Sequence, residues 1–309
     1  MIKIKEKLNK APVVCTVALL CCLLWGSAFP MIKIGYRLFS INADDTASII
    51  LFAGVRFFLA GLLTVVIFSI INKRPLLPKK QSVKPILILS LFQTVLQYIF
   101  FYLGLAHTTG VNASIINGTS VFIALLLTCL VFRQERLTLP KIIGTVLGFF
   151  GVFVAGFFAS DSRNGFQIGD IFILLSSTSY AFSSVFMKKY SKENNPAMLS
   201  GYQFMLGGLV MTAVGLAMGG SINVGSIKGI AVVIYLAFVS AVAYSLWSIL
   251  LKFNDVSRIA VFGSFTPIFG FVLSYLLLGE NTSALLYNLL GLLLVVAGMT
   301  IVNIKKSLN

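Results

Sequence analysis

The chain has 309 residues, of which 58% are hydrophobic and only 11% charged, whereas roughly a quarter of a soluble domain is charged. With a mean hydropathy of +0.97, that excludes a water-soluble globule and makes lipid the main solvent. The formal net charge of +15 calls for no nucleic acid, because the basic residues fall in short connectors of the kind that meet anionic membrane lipids.

A bilayer core about 30 Å thick is crossed by about 20 apolar residues in a helix, whose backbone groups pair internally. Ten stretches fit: 12–39, 46–71, 84–106, 109–132, 140–158, 168–189, 197–219, 226–251, 256–279 and 283–304. The expected fold class is therefore an all-α integral membrane protein. Between the stretches stand helix-ending clusters at 72–78, 107–110, 161–165, 194–196 and 280–283. No connector is long enough for a soluble domain. The first stretch follows Lys3, Lys5, Lys7 and Lys10; its apolar run is too long for a signal peptide, so it reads as a retained helix.

If the N-terminus is cytoplasmic, all of the Lys and Arg residues except Lys33, Arg37, Arg56, Arg163 and Lys228 fall in cytoplasmic connectors or tails. By the positive-inside rule, both termini are expected in the cytoplasm. Cys15, Cys21, Cys22 and Cys129 lie in apolar stretches without acidic or histidine neighbours, so no metal is expected and they read as small apolar residues. No phosphate-binding loop for ATP is present, and no cofactor is expected.

The sequence repeats. Residues 25–33 match 180–188, pairing Lys33 with Lys188; 56–61 match 203–208, pairing Arg56 with Gln203. A helix ends at Glu135 in one half and at Glu280 in the other, each followed by a helix with glycines seven apart, Gly144 and Gly151 against Gly291 and Gly298. Five is an odd number of crossings, so the second copy must enter the membrane in the opposite sense. Two inverted five-helix repeats are expected, at 1–158 and 168–309, joined by a loop at 159–167. Such repeats build secondary transporters around a midplane site.

These features resemble the EamA family of the drug/metabolite transporter superfamily. The early Trp25-Gly26-Ser27 motif with its following lysine, the arginine of the second helix, the glutamates after the fourth and ninth helices, and the proline of the ninth carry the resemblance, which spans nearly the whole chain. It departs in having Phe122 where the ninth helix has Pro267. The resemblance implies a non-enzymatic transporter of small molecules, with export of amino acids or related compounds as the implied direction. A monomer or a homodimer is expected.

Gly-Ser-x-x-Pro occurs at Gly26–Pro30 and at Gly263–Pro267. Proline frees the carbonyl four residues back, so both places are expected either as unwound hinges or as kinks satisfied by Ser27 and Ser264. Gln93 and Gln97 lie one turn apart in the third stretch, as do Tyr98 and Tyr102; Ser240, Tyr244, Trp247 and Ser248 line the eighth; Ser176, Ser179, Tyr180 and Ser183 line the sixth; Asn112, Asn117 and Ser120 add polar groups in the fourth. Unpaired polar groups are costly in hydrocarbon, so these stripes should face inward. Serines of the sixth stretch suit close packing. The expected substrate site is Trp25, Ser27, Arg56, Gln93, Gln97, Tyr98, Tyr102, Asn117, Tyr180, Tyr244 and Trp247, with Gly26, Pro30, Gly263 and Pro267 as hinges.

Arg56 has two readings, pairing with freed helix carbonyls or with a substrate carboxylate. Lys33 reads as a snorkelling lysine. Glu135 and Glu280 read first as hairpin-turn residues, with Thr138 and Ser283 as N-caps, and second as gates; His107 ends the third stretch, where a proton-relay role is the lesser reading. No acidic residue is expected deep in a span, which points to uniport or exchange rather than proton coupling. The alternative function class is a lipid scramblase or an intramembrane lipid-modifying protein. Metal or serine chemistry would need a histidine or carboxylate cluster that the sequence does not offer.

Overall fold

The computed structural model describes residues 11–133, 136–158, 167–223, 227–253, 261–280 and 285–303. It is all-helical. Helix α1 is Ala11–Leu38, α2 Thr46–Ile71, α3 Lys80–His107, α4 Gly110–Val131 and α5 Leu139–Phe158. The second half contains α6 Ile168–Tyr190, α7 Pro196–Ala217, α8 Ile227–Phe253, α9 Phe265–Leu278 and α10 Leu285–Asn303. Among the described residues, nine helices are long and apolar enough to cross a membrane, and the ninth in chain order, α9, is shorter. The protein is a multi-pass membrane protein.

The helix starts follow from their sequence. The Asp45 carboxylate accepts from the Ser48 amide (3.0 Å), Thr109 Oγ1 from the Asn112 amide (3.0 Å), and Asn195 Oδ1 from the Ala197 and Met198 amides, with Pro196 in the first turn. Each satisfies donors that no helix can pair by itself. Gly279 ends α9 in the left-handed region, φ 62°.

Two helices depart from α geometry. Ser90–Leu96 of α3 and Leu127–Val131 of α4 are π-helical, a widening that often marks functional positions. The Ser179 hydroxyl of α6 donates to the Phe92 carbonyl inside the first of these (2.8 Å).

The halves meet along two close crossings, and both are antiparallel. In α2 against α7, Leu51 faces Gly215, Gly54 faces Thr212 and Gly61 faces Met205. A methyl on Gly61 would strike the Gly201 carbonyl and the Met205 amide; one on Gly208 would strike the Gly54 carbonyl and the Phe58 amide. In α5 against α10, Gly144 meets the Gly298 carbonyl and the Val302 amide, while Gly291 meets the Gly151 carbonyl and the Ala155 amide. Each contact maps onto its counterpart by one constant offset in sequence, that of Gly61 to Gly208 and of Gly144 to Gly291. Equivalent helices that run antiparallel in reciprocal contact require a twofold axis across the bundle, which is the inverted repeat expected from the odd number of crossings. The remaining packing obeys the same exchange: α1 with α8 mirrors α6 with α3, and α1 with α9 mirrors α6 with α4.

Of the two readings of the proline motifs, unwinding is not seen at Pro30. Pro30 lies inside α1, which continues as α-helix through it without unwinding. Ser27 Oγ donates to the Leu24 carbonyl (2.7 Å), so it does not satisfy the carbonyl that Pro30 frees at Gly26. Gly26 is instead a contact point, where a methyl would collide with Phe269 Cβ and the Gly270 amide of α9. Pro267 falls in the first turn of α9, after a 3₁₀ turn at Val261–Ser264. There the missing N–H is one that helix geometry leaves unpaired anyway. Gly263 has open space around its α-carbon. Glu135, Ser283 and Arg163 lie outside the described residues.

Candidate functional site

Arg56 is buried near the middle of α2, 2% exposed. Its Nη1 donates to the Tyr102 hydroxyl (2.8 Å), Nη2 to Ser240 Oγ (2.8 Å) and Nε to the Leu236 carbonyl (3.2 Å). The guanidinium carbon stands 4.3 Å from the centre of the Phe57 ring, a cation–π contact. Every one of these partners is neutral, and among the described residues no carboxylate pairs with Arg56. The carbonyl it meets, that of Leu236, lies inside α8 and is not one freed by a proline, and two hydroxyls complete the contacts.

Around this cation gathers an aromatic cluster drawn from both halves. Trp25 meets Tyr244 edge-on at 5.3 Å and Trp247 at 5.1 Å between ring centroids. Phe204 meets Tyr244 at 5.1 Å, and Phe57 lies between Tyr98 at 3.9 Å and Phe204 at 5.4 Å. The hydroxyls of Tyr98 and Tyr244 are 3.1 Å apart. Ser27 Oγ and the Tyr235 hydroxyl are 2.7 Å apart, which ties α1 to α8.

Three polar atoms here are buried without a hydrogen-bond partner among the described residues: Trp25 Nε1, Gln93 Oε1 and Gln97 Oε1. Gln93 and Gln97 are 4% and 7% exposed. Their placement follows from helix geometry. Phe29 of α1 touches Phe101 of α3 (5.4 Å), and Lys33 reaches the Thr108 carbonyl, so the two helices run in parallel. Trp25 and Gln97, each one turn earlier, fall at the same depth. An indole donor and an amide acceptor thus flank one level of the bundle, and each lacks a partner.

Most of the residues expected from sequence converge here: Trp25, Ser27, Arg56, Gln97, Tyr98, Tyr102, Tyr244 and Trp247, with Gln93 one turn along α3. Tyr180 is half-buried on α6. Asn117 stands apart, half-buried where α4 is interrupted before Gly118. Phe57, Phe204 and Tyr235 are participants that the search for polar stripes passed over. The first two were visible as neighbours of Arg56 and Gln203 in the repeat.

The end of the bundle beyond Lys33 overturns one expectation. Lys33 does not snorkel; its Nζ lies 3.3 Å from Glu280 Oε1. Glu280, expected first as a turn residue and second as a gate, reaches back to the start of α4. Asp170 is fully buried in the first turn of α6. Asp170 thus lies at the end of its span rather than deep within it. The His107 backbone packs on Gly169. At the opposite end, a cavity of about 270 Å³ is bounded by Asn72, Arg74, Pro75, Leu76, Leu77 and Asn195, well away from the aromatic cluster.

The model of the EamA-like transporter family matches the chain twice, at residues 13–157 and 167–304. The chain belongs to that family. Two matches of one model imply the duplicated halves that the helix crossings display, and family membership makes the protein a transporter with a small-molecule substrate rather than an enzyme. An uncharacterized transporter of Archaeoglobus fulgidus is 27% identical over 93% of this chain and 84% of its own length. A protein of Escherichia coli K12 named as a probable amino-acid metabolite efflux pump is 26% identical over 92% of this chain and 93% of its own. A crystal structure with a TM-score of 0.65 and 16% identity covers 94% of this chain and 96% of its own, a likeness of fold.

Proposed function

We propose that this EamA transporter exports amino acids or related amphipathic metabolites across the cytoplasmic membrane by alternating access, with both termini cytoplasmic. The observation that carries the reading is Arg56, a buried cation whose partners are all neutral, in an aromatic cluster that includes unpaired Trp25 Nε1, with unpaired Gln97 Oε1 and Gln93 Oε1 on the same helix as Tyr98 and Tyr102. A ligand carboxylate would supply the missing negative charge. An ammonium or hydroxyl would donate to the amide oxygens, and an apolar or aromatic side chain would lie against Trp25, Tyr98, Tyr244 and Trp247. A polyanion fits less well, because among the described residues a single cation faces this cluster. The substrate class of the Escherichia coli relative, as its name gives it, agrees with this chemistry.

The test is efflux and exchange in proteoliposomes with labelled aromatic, aliphatic and polar amino acids and a panel of drug-like compounds. Accumulation or exchange of zwitterions, competed by compounds that keep both the carboxylate and the apolar side chain, is the expected result. Failure of every amino acid and amphipathic compound to move would overturn it. A thermal-shift screen against metabolite classes gives an independent readout, since a ligand that binds only the folded state raises its stability.

A further inference from the structure

Lys33 and Glu280 are 21% and 12% exposed, so water screens their ion pair only in part. The lysine also donates to the Thr108 carbonyl (2.6 Å). Glu280 Oε1 accepts from the Gly110 amide (2.9 Å) and Oε2 from the Val111 amide (3.1 Å). Those amides open α4, have no partner within their own helix, and form the positive end of its dipole. From there Thr108 Oγ1 donates to Asp170 Oδ1 (2.5 Å), and the Gln167 amide donates to Asp170 Oδ2 (3.0 Å), in the first turn of α6. One polar chain thus joins the ends of α1 and α9, the connector between α3 and α4, and the start of α6. It crosses between the repeats, two helical turns, about 12 Å along the axis, beyond the level of Trp25.

We infer that the Lys33–Glu280 pair is a latch that closes this mouth of the bundle and must separate before the aromatic cluster can face that side. The physical reason is the dependence of an ion pair on its surroundings. When the pair is desolvated and shared with helix amides, its attraction is strong; once water enters, the attraction falls severalfold. The contact is therefore firm in the closed arrangement and weak in the open one, which is what a two-state element requires. Lys33 holds α1, while Glu280 stays with α9 and the α4 amides, so rocking of α1 against α9 and α4 breaks the pair without uncapping α4.

The inference rests on the alternating-access reading, and its test uses no substrate, so the failure of one is separable from the failure of the other. Ser27→Cys supplies a reporter deeper than the latch. A membrane-impermeant maleimide is applied to right-side-out and to inside-out vesicles, with the parent chain as the background for native cysteines. In Lys33→Gln, which leaves the Glu280 cap of α4 in place, labelling of the reporter rises about tenfold from the Lys33 end only, the shift that loss of one charge-assisted contact gives. Lys33→Arg retains the slow parent rate. The latch is overturned by an unchanged rate in Lys33→Gln, by an equal rise from both ends, or by a Lys33→Arg rate as fast as that of Lys33→Gln.

Discussion

Replacing Arg56 by glutamine separates a fold role from a substrate role, because the two contributions have different signs. The wild-type side chain makes hydrogen bonds to Tyr102, Ser240 and the Leu236 carbonyl, and bonds to a charged group contribute about 1.5–3 kcal/mol each. Against them stands the several-kcal/mol cost of holding a cation out of water without a counter-ion. Glutamine removes the charge cost and keeps up to two donors, so the net change in stability is about 2 kcal/mol or less. For a carboxylate substrate there is no such compensation. Loss of its one charged partner costs about 1.5–3 kcal/mol of binding, which is about 10- to 100-fold in apparent affinity or transport efficiency. The assay is concentration-dependent efflux from proteoliposomes of an amino acid and of its amide, which lacks the carboxylate. Arg56→Gln should lose the amino acid and change little toward the amide, while melting within a few degrees of wild type. Unaltered transport of the amino acid would refute the reasoning and leave Arg56 as an interhelical tie alone.

Gln97→Leu removes an amide whose oxygen has no partner; it should hold or raise thermal stability by about 1 kcal/mol while lowering transport of amine-bearing substrates more than that of their des-amino analogues in competition assays. Trp25→Phe tests the facing donor in the same way, with stability unchanged and substrate selectivity shifted. At the α2–α7 crossing, Gly208→Val should destabilise by about 3 kcal/mol or more, because the methyls meet the Gly54 carbonyl and the Phe58 amide rather than a yielding side chain. Gly263→Ala, with open space around it, should leave the detergent melting temperature unchanged.

Helix count and inversion were legible because both depend on long-range averages of the sequence. Twenty apolar residues in a row admit one structure in lipid, and an odd repeat admits one relative sense. The glycines that the structure uses at the crossings, Gly61 with Gly208 and Gly144 with Gly291, were already visible as matched positions, since backbone approach needs small residues and duplication preserved them. A proline's consequence depends on where in its helix it falls: α1 continues as α-helix through Pro30, and at the first turn of α9 proline costs nothing. Lys33 and Glu280 lie far apart in sequence, and no periodicity links an ion pair that exists only once α1 and α9 have packed. The aromatic cluster was half legible: tyrosines, tryptophans and glutamines at helical spacing pointed inward, while Phe57 and Phe204 stood beside Arg56 and Gln203 in the repeat but carried no polar group to mark them as inward-facing.

The repeat also isolates what the charge of Arg56 is for. Arg56 of α2 bonds Ser240 of α8, and at the equivalent position in the other half Gln203 of α7 accepts a hydrogen bond from Thr94 of α3. Exchange of the halves carries α2 and α8 onto α7 and α3, so both repeats fasten the same pair of helices with a hydroxyl and a long planar side chain. A neutral amide suffices for that fastening on one side. The guanidinium on the other side brings a charge that the tie itself does not require, which fits the proposed carboxylate substrate. Moving the charge tests the point: in Arg56→Gln/Gln203→Arg the tie is available in both halves and the net charge is conserved, but the cation now faces Thr94 and the π-helical turn of α3 instead of Tyr102 and Phe57. The expected protein is folded, monodisperse, and as weak toward carboxylate substrates as Arg56→Gln alone. Recovery of wild-type transport in the exchanged protein would mean that a cation anywhere along the α2–α7 crossing is enough, and that the aromatic surroundings of Arg56 do not select the substrate.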